Sequence, residues 1–168
     1  MEKMKITILY LSITGNTEKM AHHIKNGILK ADNAIEVKLM NLKEDSGIDV
    51  EFLNDSSAVI FGTPSYAANL CWQLKKFFDT RWDCKLEGKL SGCFATANCM
   101  HGGGDVAILT VLEHSLVRGM LAYSSGAGCG RPYIHLGPIA LRDELDQKKD
   151  LFELFGKRFA KKAKEVFN

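Results

Sequence analysis

Apolar and polar positions alternate along the chain with two different periods. Short apolar runs such as residues 6–11 and 58–61 have the length of buried strands, whereas other apolar residues recur every three or four positions, as on a helix face. Repeated switching between these patterns is typical of an α/β domain with a parallel sheet. We therefore expect one domain over residues 1–168, built from five parallel strands and their connecting helices.

The apolar runs predict five strands, of which the second and the fifth have distinctive sequences. They cover residues 6–11, 35–39, 58–61, 92–95 and 120–123. The second alternates β-branched and charged residues, which is typical of a strand at the edge of a sheet. The fifth stops at the Ser/Gly-rich residues 124–128, and an extended pattern returns at residues 133–136. These features predict an interrupted fifth strand.

Helical periodicity predicts helices at residues 17–30, 69–81, 106–116 and 152–166. In the third of these, Val106, Leu109, Leu112 and Leu116 form the stripe that we expect to face the core. Asp105 is the expected N-cap, because its carboxylate suits the first free N–H groups of a helix.

Several side chains on the predicted helices have structural interpretations. Trp72 and Trp82 are expected to pack against the protein. His22 and His23 are adjacent, so they lie on different faces of the first helix and are not expected to bind a metal. The basic outer face of the last helix is interpreted as a solvated surface; it consists of Lys157, Arg158, Lys161, Lys162 and Lys164.

The segment from Ser12 to Thr17 connects the first strand to the first helix and reads Ser-Ile-Thr-Gly-Asn-Thr. Such a turn directs free backbone N–H groups and the helix dipole at one point, and the hydroxyls add donors, so we expect it to bind a phosphate. It lacks the Gly-Lys-Ser/Thr of a nucleotide hydrolase and the spaced glycines of a dehydrogenase. It also lacks the Cys and Arg of a low-molecular-weight phosphatase. The loop therefore predicts a permanently bound, unreacted monophosphate.

Two further loops are expected beside this one, because ligands of open parallel sheets bind at the carboxyl ends of the strands, where strand order reverses. Residues 63–69 combine a rigid turn with an aromatic ring and an amide, which suits a planar ligand. Residues 96–104 end in three glycines, which allow close backbone approach. A phosphoreceiver is excluded, since no aspartate ends the third strand. Together the loops predict a pocket for a planar heterocycle that carries a phosphate.

The phosphate loop resembles the Ser/Thr-x-Thr-Gly-Asn-Thr loop of flavodoxins. Residues 62–66, Gly-Thr-Pro-Ser-Tyr, and residues 73–79, Gln-Leu-Lys-Lys-Phe-Phe-Asp, are similar to segments of the flavodoxin-like NAD(P)H-dependent oxidoreductases. The tryptophan-repressor-binding-protein type of NAD(P)H:quinone oxidoreductase also has a glycine triplet before its fourth helix. The resemblance covers most of residues 5–165 and implies a doubly wound, five-stranded parallel sheet in the order 2-1-3-4-5.

The resemblance also implies FMN as the cofactor. Its phosphate contacts would come from the first loop, at Ser12, Ile13, Thr14, Gly15, Asn16 and Thr17. Its ring and ribityl contacts would come from Pro64, Ser65, Tyr66, Asn69, Thr96, Ala97, Asn98 and Gly103. We expect Tyr66 to stack on or beside the flavin. No catalytic side chain is required beyond the flavin, although His101 is a candidate proton donor, and no metal is expected.

The function that the resemblance implies is transfer of electrons from NAD(P)H through FMN to a quinone or a similar acceptor. The alternative is a flavodoxin, which carries single electrons between redox proteins, and a third class is a flavin-sensing or apo interaction module. The chain has 22 basic and 20 acidic residues, a net charge of +2. Because carriers of the family are acidic and dock through electrostatic steering, we expect the enzyme.

Composition and the remaining motifs limit partners and compartment. The charge balance is too mild to indicate nucleic acid binding, and no apolar stretch approaches the roughly 20 residues that span a bilayer. Five cysteines without a Cys-x-x-Cys pair suggest reduced thiols, Cys99 among them. We expect a cytoplasmic protein that acts on a small-molecule acceptor or a redox protein. By analogy it forms a homodimer or a larger homo-oligomer. His135, in the returning fifth strand, is a further candidate for approaching the site.

Overall fold

Strands and helices alternate along the chain, as the apolar pattern predicts. The structure is a computed structural model that describes residues 3–44 and 47–167. The strands are β1 (Lys5–Tyr10), β2 (Glu36–Asn41), β3 (Ala58–Pro64), β4 (Leu90–Ala97), β5 (Leu121–Ala122) and β6 (Ile139–Leu141). The helices are α1 (Asn16–Ala31), α2 (Val50–Asp55), α3 (Trp72–Thr80), α4 (Gly104–Val117) and α5 (Lys149–Phe167). Within these ranges no helix is long and apolar enough to cross a membrane.

The strands form one parallel sheet in the order β2-β1-β3-β4-β5, which confirms the predicted fold. β4 also pairs with a sixth strand, β6. β5 lies beside the start of β4, where Leu90 faces Leu121, and β6 lies beside its end, where Ala97 faces Leu141. β5 and β6 are therefore the two halves of the interrupted fifth strand.

The fifth strand returns at Ile139, so the predicted return at residues 133–136 is wrong. Residues 133–136 lie in a stretch of bends and coil in which Ile134 is buried and its neighbour His135 is exposed. Ile134 is a single buried apolar residue between exposed neighbours, so the sequence shows the alternation expected of a strand although the segment is irregular. His135 accordingly lies outside the sheet and does not line the pocket described below.

Alternation along β1 divides the core into two layers, because successive side chains of a strand point to opposite faces. Ile6 and Ile8 are fully buried in the layer that includes α1 and α5. Leu9 and Leu11 are fully buried in the opposite layer, which includes α3 and α4. The sheet is thus covered on both faces, as in other parallel sheets.

The side of α4 that packs on the sheet differs from the predicted stripe. Val106, Leu109 and Leu116 are exposed, and only Leu112 of the expected stripe is buried. The buried positions of α4 are Gly104, Ala107, Ile108, Val111, Leu112 and Ser115. The helix is apolar on nearly all sides, so periodicity could not select the inner face. Its N-cap is Gly103 rather than Asp105, which lies in the first turn.

Two predictions near α3 also need correction, and the sequence did not indicate α2. α3 begins at Trp72 instead of residue 69, because residues 66–69 form a separate turn. Trp72 and Trp82 are each 66% exposed, so neither is a core residue. Trp82 instead lies against the guanidinium of Arg118, 4.2 Å from its ring centre, on the surface.

The basic face of α5 is only partly a free solvated surface. Arg158 donates hydrogen bonds to the hydroxyl of Ser125 and to the carbonyl groups of Cys129, Gly130 and Pro132. It therefore fastens the segment inserted between β5 and β6 to the helix. Lysines farther along α5 also have partners: Lys162 pairs with Glu165 and Lys164 with Asp32.

Candidate functional site

A cavity of about 330 Å³ lies at the carboxyl ends of β1, β3 and β4. It is lined by Ser12, Ile13, Thr14, Asn16, Thr17, Pro64, Ser65, Tyr66, Thr96, Ala97, Asn98 and Arg142. The structure thus brings together eleven of the fourteen residues that we proposed as cofactor contacts. Gly15, Asn69 and Gly103 belong to the same loops but do not line the cavity.

The loop between β1 and α1 presents the start of the helix to this cavity. Gly15 is the N-cap of α1 and has a φ of 93°, so no side chain caps the first N–H groups. The backbone N–H of Gly15 donates to the Ser12 hydroxyl over 3.2 Å, which fixes the turn. Ser12 and Thr17 are both buried against it. Free N–H groups, hydroxyls and the helix dipole converge here, which is the chemistry of a phosphate site.

Asn41, at the end of β2, holds this loop from the side. Its Oδ1 accepts a hydrogen bond from the backbone N–H of Ser12, and its Nδ2 donates to the Ser12 carbonyl, both over 3.0 Å. These two bonds fix the backbone where β1 ends and the loop begins. Sequence reasoning missed Asn41, because its role depends on the pairing of β1 with β2 and no local motif marks it.

Two buried hydroxyls join the first loop to the loop after β4. The Oγ1 atoms of Thr17 and Thr96 are 2.9 Å apart, and both side chains are almost completely buried. Ser65 in the loop after β3 donates from its backbone N–H to the Thr96 carbonyl over 2.7 Å. The three loops are therefore connected by hydrogen bonds around the cavity.

The loop after β3 contains a tight turn with unusual backbone. Tyr66 and Asn69 exchange two backbone hydrogen bonds, and the central residues Ala67 and Ala68 have φ values of 49° and 60°. Two left-handed central residues define a type I′ turn, in which Gly and Asn are preferred. Gly103 packs directly against the turn, since a Cβ there would lie 2.5 Å from the Cα of Ala68. The turn presents Tyr66, which is 46% exposed, at the cavity wall.

Tyr10 connects the end of β1 to the first turn of α1. Its hydroxyl donates to Glu18 Oε1 over 2.9 Å. Burial, followed by this hydrogen bond and the charge of Glu18, raises the pKa of Tyr10 well above its ordinary value. Tyr10 therefore stays protonated, and its hydrogen bond to Glu18 connects the end of β1 to the first turn of α1, next to the phosphate loop.

Arg142 is the lining residue that the sequence did not indicate. It follows β6 directly, at the start of a short 3₁₀ turn, Arg142–Glu144. It comes 38 residues after Gly104, the last residue of the third loop, so no local motif connects it with the site. By contrast, His101 and Cys99 are exposed and do not line the cavity.

Comparison with known proteins agrees with this geometry. The Flavodoxin family profile matches residues 8–100. A flavodoxin from Clostridium saccharobutylicum is 45% identical over 164 residues, which are 98% of this chain and 100% of that protein. An NAD(P)H dehydrogenase (quinone) from Geotalea daltonii is 30% identical over 72% of this chain and 73% of its own. The fold is similar to that of the flavodoxin, WrbA-like protein from Agrobacterium tumefaciens, with a TM-score of 0.77, 22% identity and coverage of 97% and 99%.

These comparisons correct the functional prediction. The expectation of an NAD(P)H-dependent enzyme is wrong, because a flavodoxin matches over the whole chain at clearly higher identity than the quinone dehydrogenase. NAD(P)H as co-substrate loses its support with it, as does the suggestion that His101 protonates a quinone. The family profile and the relative that matches over the whole chain both indicate flavodoxins. The residues that the profile matches include the phosphate loop and the loop after β3, which line the cavity. The chain belongs to the flavodoxin family.

Proposed function

We propose that this protein binds FMN in the cavity and carries single electrons between two redox proteins. The observation that carries the proposal is the 45% identity to a flavodoxin over 98% of the chain. Family membership implies FMN, and the flavin supplies one-electron chemistry when it is bound. The polypeptide binds the cofactor, orients it and sets the electrostatics around it.

The donor set of the cavity fits FMN. At one end are the uncapped start of α1 and the hydroxyls of Ser12, Thr14 and Thr17, which suit a phosphate dianion. At the other end the loops after β3 and β4 contribute Tyr66, Asn98 and several small residues, which suit the ribityl chain and a flat ring. The phosphate and ring contacts named from the resemblance therefore remain our assignment for FMN.

The rim of the cavity favours a carrier. A volume of about 330 Å³ lies within the range for small-molecule pockets and suits one cofactor. Ile13 and Tyr66 at the cavity and Met100 in the third loop are large, exposed and apolar. Exposed apolar groups around a site are typical of protein docking surfaces. We infer that the acceptor is another protein, which approaches the rim.

Binding of FMN is tested by removing two hydroxyls that line the cavity and flank the first residue of α1 in the sequence. In the variant Thr14→Ala/Thr17→Ala, each lost hydrogen bond to a charged group costs at least about 1 kcal/mol, so the dissociation constant should rise about 30-fold or more. Titration of the apoprotein with FMN, followed by flavin fluorescence, gives the constant.

The matched control is Thr80→Ala/Thr110→Ala. Each of these threonine hydroxyls donates to a carbonyl of its own helix, and neither threonine lines the cavity. The control should bind FMN as the wild type does. Equal FMN affinity of the cavity variant and the wild type would contradict the phosphate assignment.

The carrier role is tested by reconstituting electron flow between an NADPH-dependent flavoprotein reductase and cytochrome c. Cytochrome reduction should increase in proportion to the concentration of the FMN-loaded protein. Without the reductase, mixtures of NADH or NADPH with menadione should show no turnover. Rapid reductase-independent oxidation of either nicotinamide would overturn the proposal.

A further inference from the structure

We propose that the guanidinium group of Arg142 stabilises the negative charge of the fully reduced FMN ring and so raises the reduction potential of the bound cofactor. The inference rests on the proposed function, since it requires FMN in the cavity. It assigns control of the reduction potential to Arg142, a role that no residue of the phosphate loop or of the two ring loops fills.

Arg142 contributes the charge in an otherwise neutral site. Within residues 3–44 and 47–167, it is the one charged side chain that lines the cavity, and the other lining residues carry hydroxyl, amide, phenol or apolar groups. A cation shifts a reduction potential only through its different interaction with the oxidised and the reduced form of the ligand. The FMN phosphate keeps its charge through reduction, whereas the ring does not.

The sheet register places Arg142 beside the ring loop. Because Leu141 of β6 faces Ala97 of β4, the next residues along the two strands are Arg142 and Asn98. The phosphate loop follows β1, which is separated from β6 by β3 and β4. Three strand spacings amount to about 14 Å, so the backbone of Arg142 starts from the ring end of the cavity.

No carboxylate in the described part of the chain neutralises Arg142. Of the acidic residues that follow it, Glu144 pairs with Lys148 and Asp146 with Lys19, and the neighbouring Asp143 forms no ion pair with it. Among the residues that the structure describes, no hydrogen bond or ion pair of Arg142 is found. Its charge is therefore available to a ligand in the cavity.

The redox balance explains why this charge changes the potential. The oxidised flavin ring is neutral; two electrons from a reduced partner protein and one proton from water convert it to a ring that carries one negative charge. A nearby guanidinium favours the charged form over the neutral one, and because Arg142 is exposed, solvent screens part of this effect and keeps it modest. Arg142 should therefore bind the reduced cofactor more tightly than the oxidised one.

The test compares Arg142→Gln with the wild type in FMN-loaded protein. The midpoint potential for the two-electron couple is measured by anaerobic spectroelectrochemistry, and the dissociation constant of oxidised FMN by fluorescence titration. Removal of the charge should reduce the preference for reduced over oxidised FMN about tenfold, which corresponds to a potential lower by about 30 mV. Affinity for oxidised FMN should change less than threefold.

Two further variants make the comparison specific. Arg142→Lys retains the charge and should restore most of the potential. Arg131→Gln removes the same charge from an exposed loop residue outside the cavity and should leave the potential unchanged. The shift in Arg142→Gln should persist when riboflavin replaces FMN, since the proposed partner of Arg142 is the ring.

Two results would overturn the inference. If Arg142→Gln weakens oxidised and reduced FMN equally and leaves riboflavin binding unchanged, Arg142 acts on the phosphate. If the potential equals that of the wild type, Arg142 is a solvated residue. Either result leaves the proposed function intact, whereas failure of the wild type to bind FMN at all would refute the proposed function instead.

Discussion

Asn41 is the single residue whose loss should most directly loosen the phosphate loop. It forms both hydrogen bonds that hold the backbone of Ser12, and its Oδ1 also accepts from the N–H of Lys43. In Asn41→Ala we expect the unfolding free energy to fall by about 1–2 kcal/mol and FMN affinity to fall about tenfold, because the loop is no longer preorganised. Urea unfolding of the apoprotein and FMN titration measure the two effects.

A control for this substitution is Asn26→Ala, at an exposed position on α1. It should change neither quantity appreciably. Should Asn41→Ala bind FMN as tightly as this control, the loop would not depend on the hydrogen bonds from β2.

His23 should make stability depend on pH. Both of its ring nitrogens are buried and have no hydrogen-bond partner among the residues that the structure describes. Burial lowers the pKa of His23, partly opposed by the charge of Glu153. The unfolded chain then takes up the proton more readily than the folded one. The stabilisation is complete above the unfolded pKa of about 6.5 and is lost as the pH falls through the lower folded pKa.

We therefore expect the unfolding free energy to decrease less between pH 7.5 and pH 5 in His23→Met than in the wild type. His22→Met replaces the exposed neighbour and should keep the dependence of the wild type. Urea unfolding at each pH provides the comparison, and identical pH profiles for the two variants would refute this role of His23.

At the scale of elements, the turn at residues 66–69 stores backbone strain. Alanine in the left-handed region costs about 1–2 kcal/mol, whereas glycine adopts it freely but loses more entropy on folding. We expect Ala67→Gly and Ala68→Gly each to raise the unfolding free energy by about 0.5 kcal/mol. Ala34→Gly changes an exposed alanine without positive φ and should lower it instead. Thermal and urea unfolding decide the sign; destabilisation by all three would show that the turn is unstrained.

The elements also show how far the sequence determines this fold. Strands β1 and β3 were predictable because their apolar runs are bounded by turn residues and have the length of buried strands, too short for a helix. The inner face of α4 was not, since Leu109 and Leu116 are as apolar as the buried Ile108 and Leu112. The phosphate loop carries its own motif, whereas Asn41 and Arg142 reach the cavity only through strand pairing, which local sequence does not encode.

At the scale of the whole molecule, the charge of +2 is unevenly distributed. Residues 157–168 hold five basic side chains and one acidic one, so the rest of the chain has a net charge of −2. α1 and α5 both start at the cavity end, because Lys19 pairs with Asp146 near their starts and Lys164 with Asp32 at their ends. The basic cluster therefore lies at the end remote from the cavity. The functional prediction was wrong because it used the total charge, whereas a docking partner experiences only the local electrostatic potential.

This distribution predicts how salt affects electron transfer. Bound FMN adds a phosphate dianion at the less basic end, so a basic acceptor such as cytochrome c should be attracted there. The second-order rate constant should fall as ionic strength rises from about 10 mM to 0.2 M, because salt screens charges beyond roughly 8–10 Å. Stopped-flow mixing measures it, with Lys157→Gln/Lys161→Gln as the control that changes charge remote from the site. A rate that rises with salt would show that the docking face is basic.

The proposed role of the protein as a one-electron carrier that holds FMN can be checked by anaerobic titration of the FMN-loaded protein with dithionite, followed by visible absorbance. We predict reduction in two resolved steps of one electron each, with the flavin bound throughout. Reduction in a single two-electron step, together with oxidation of NADH or NADPH by the same preparation, would contradict the account.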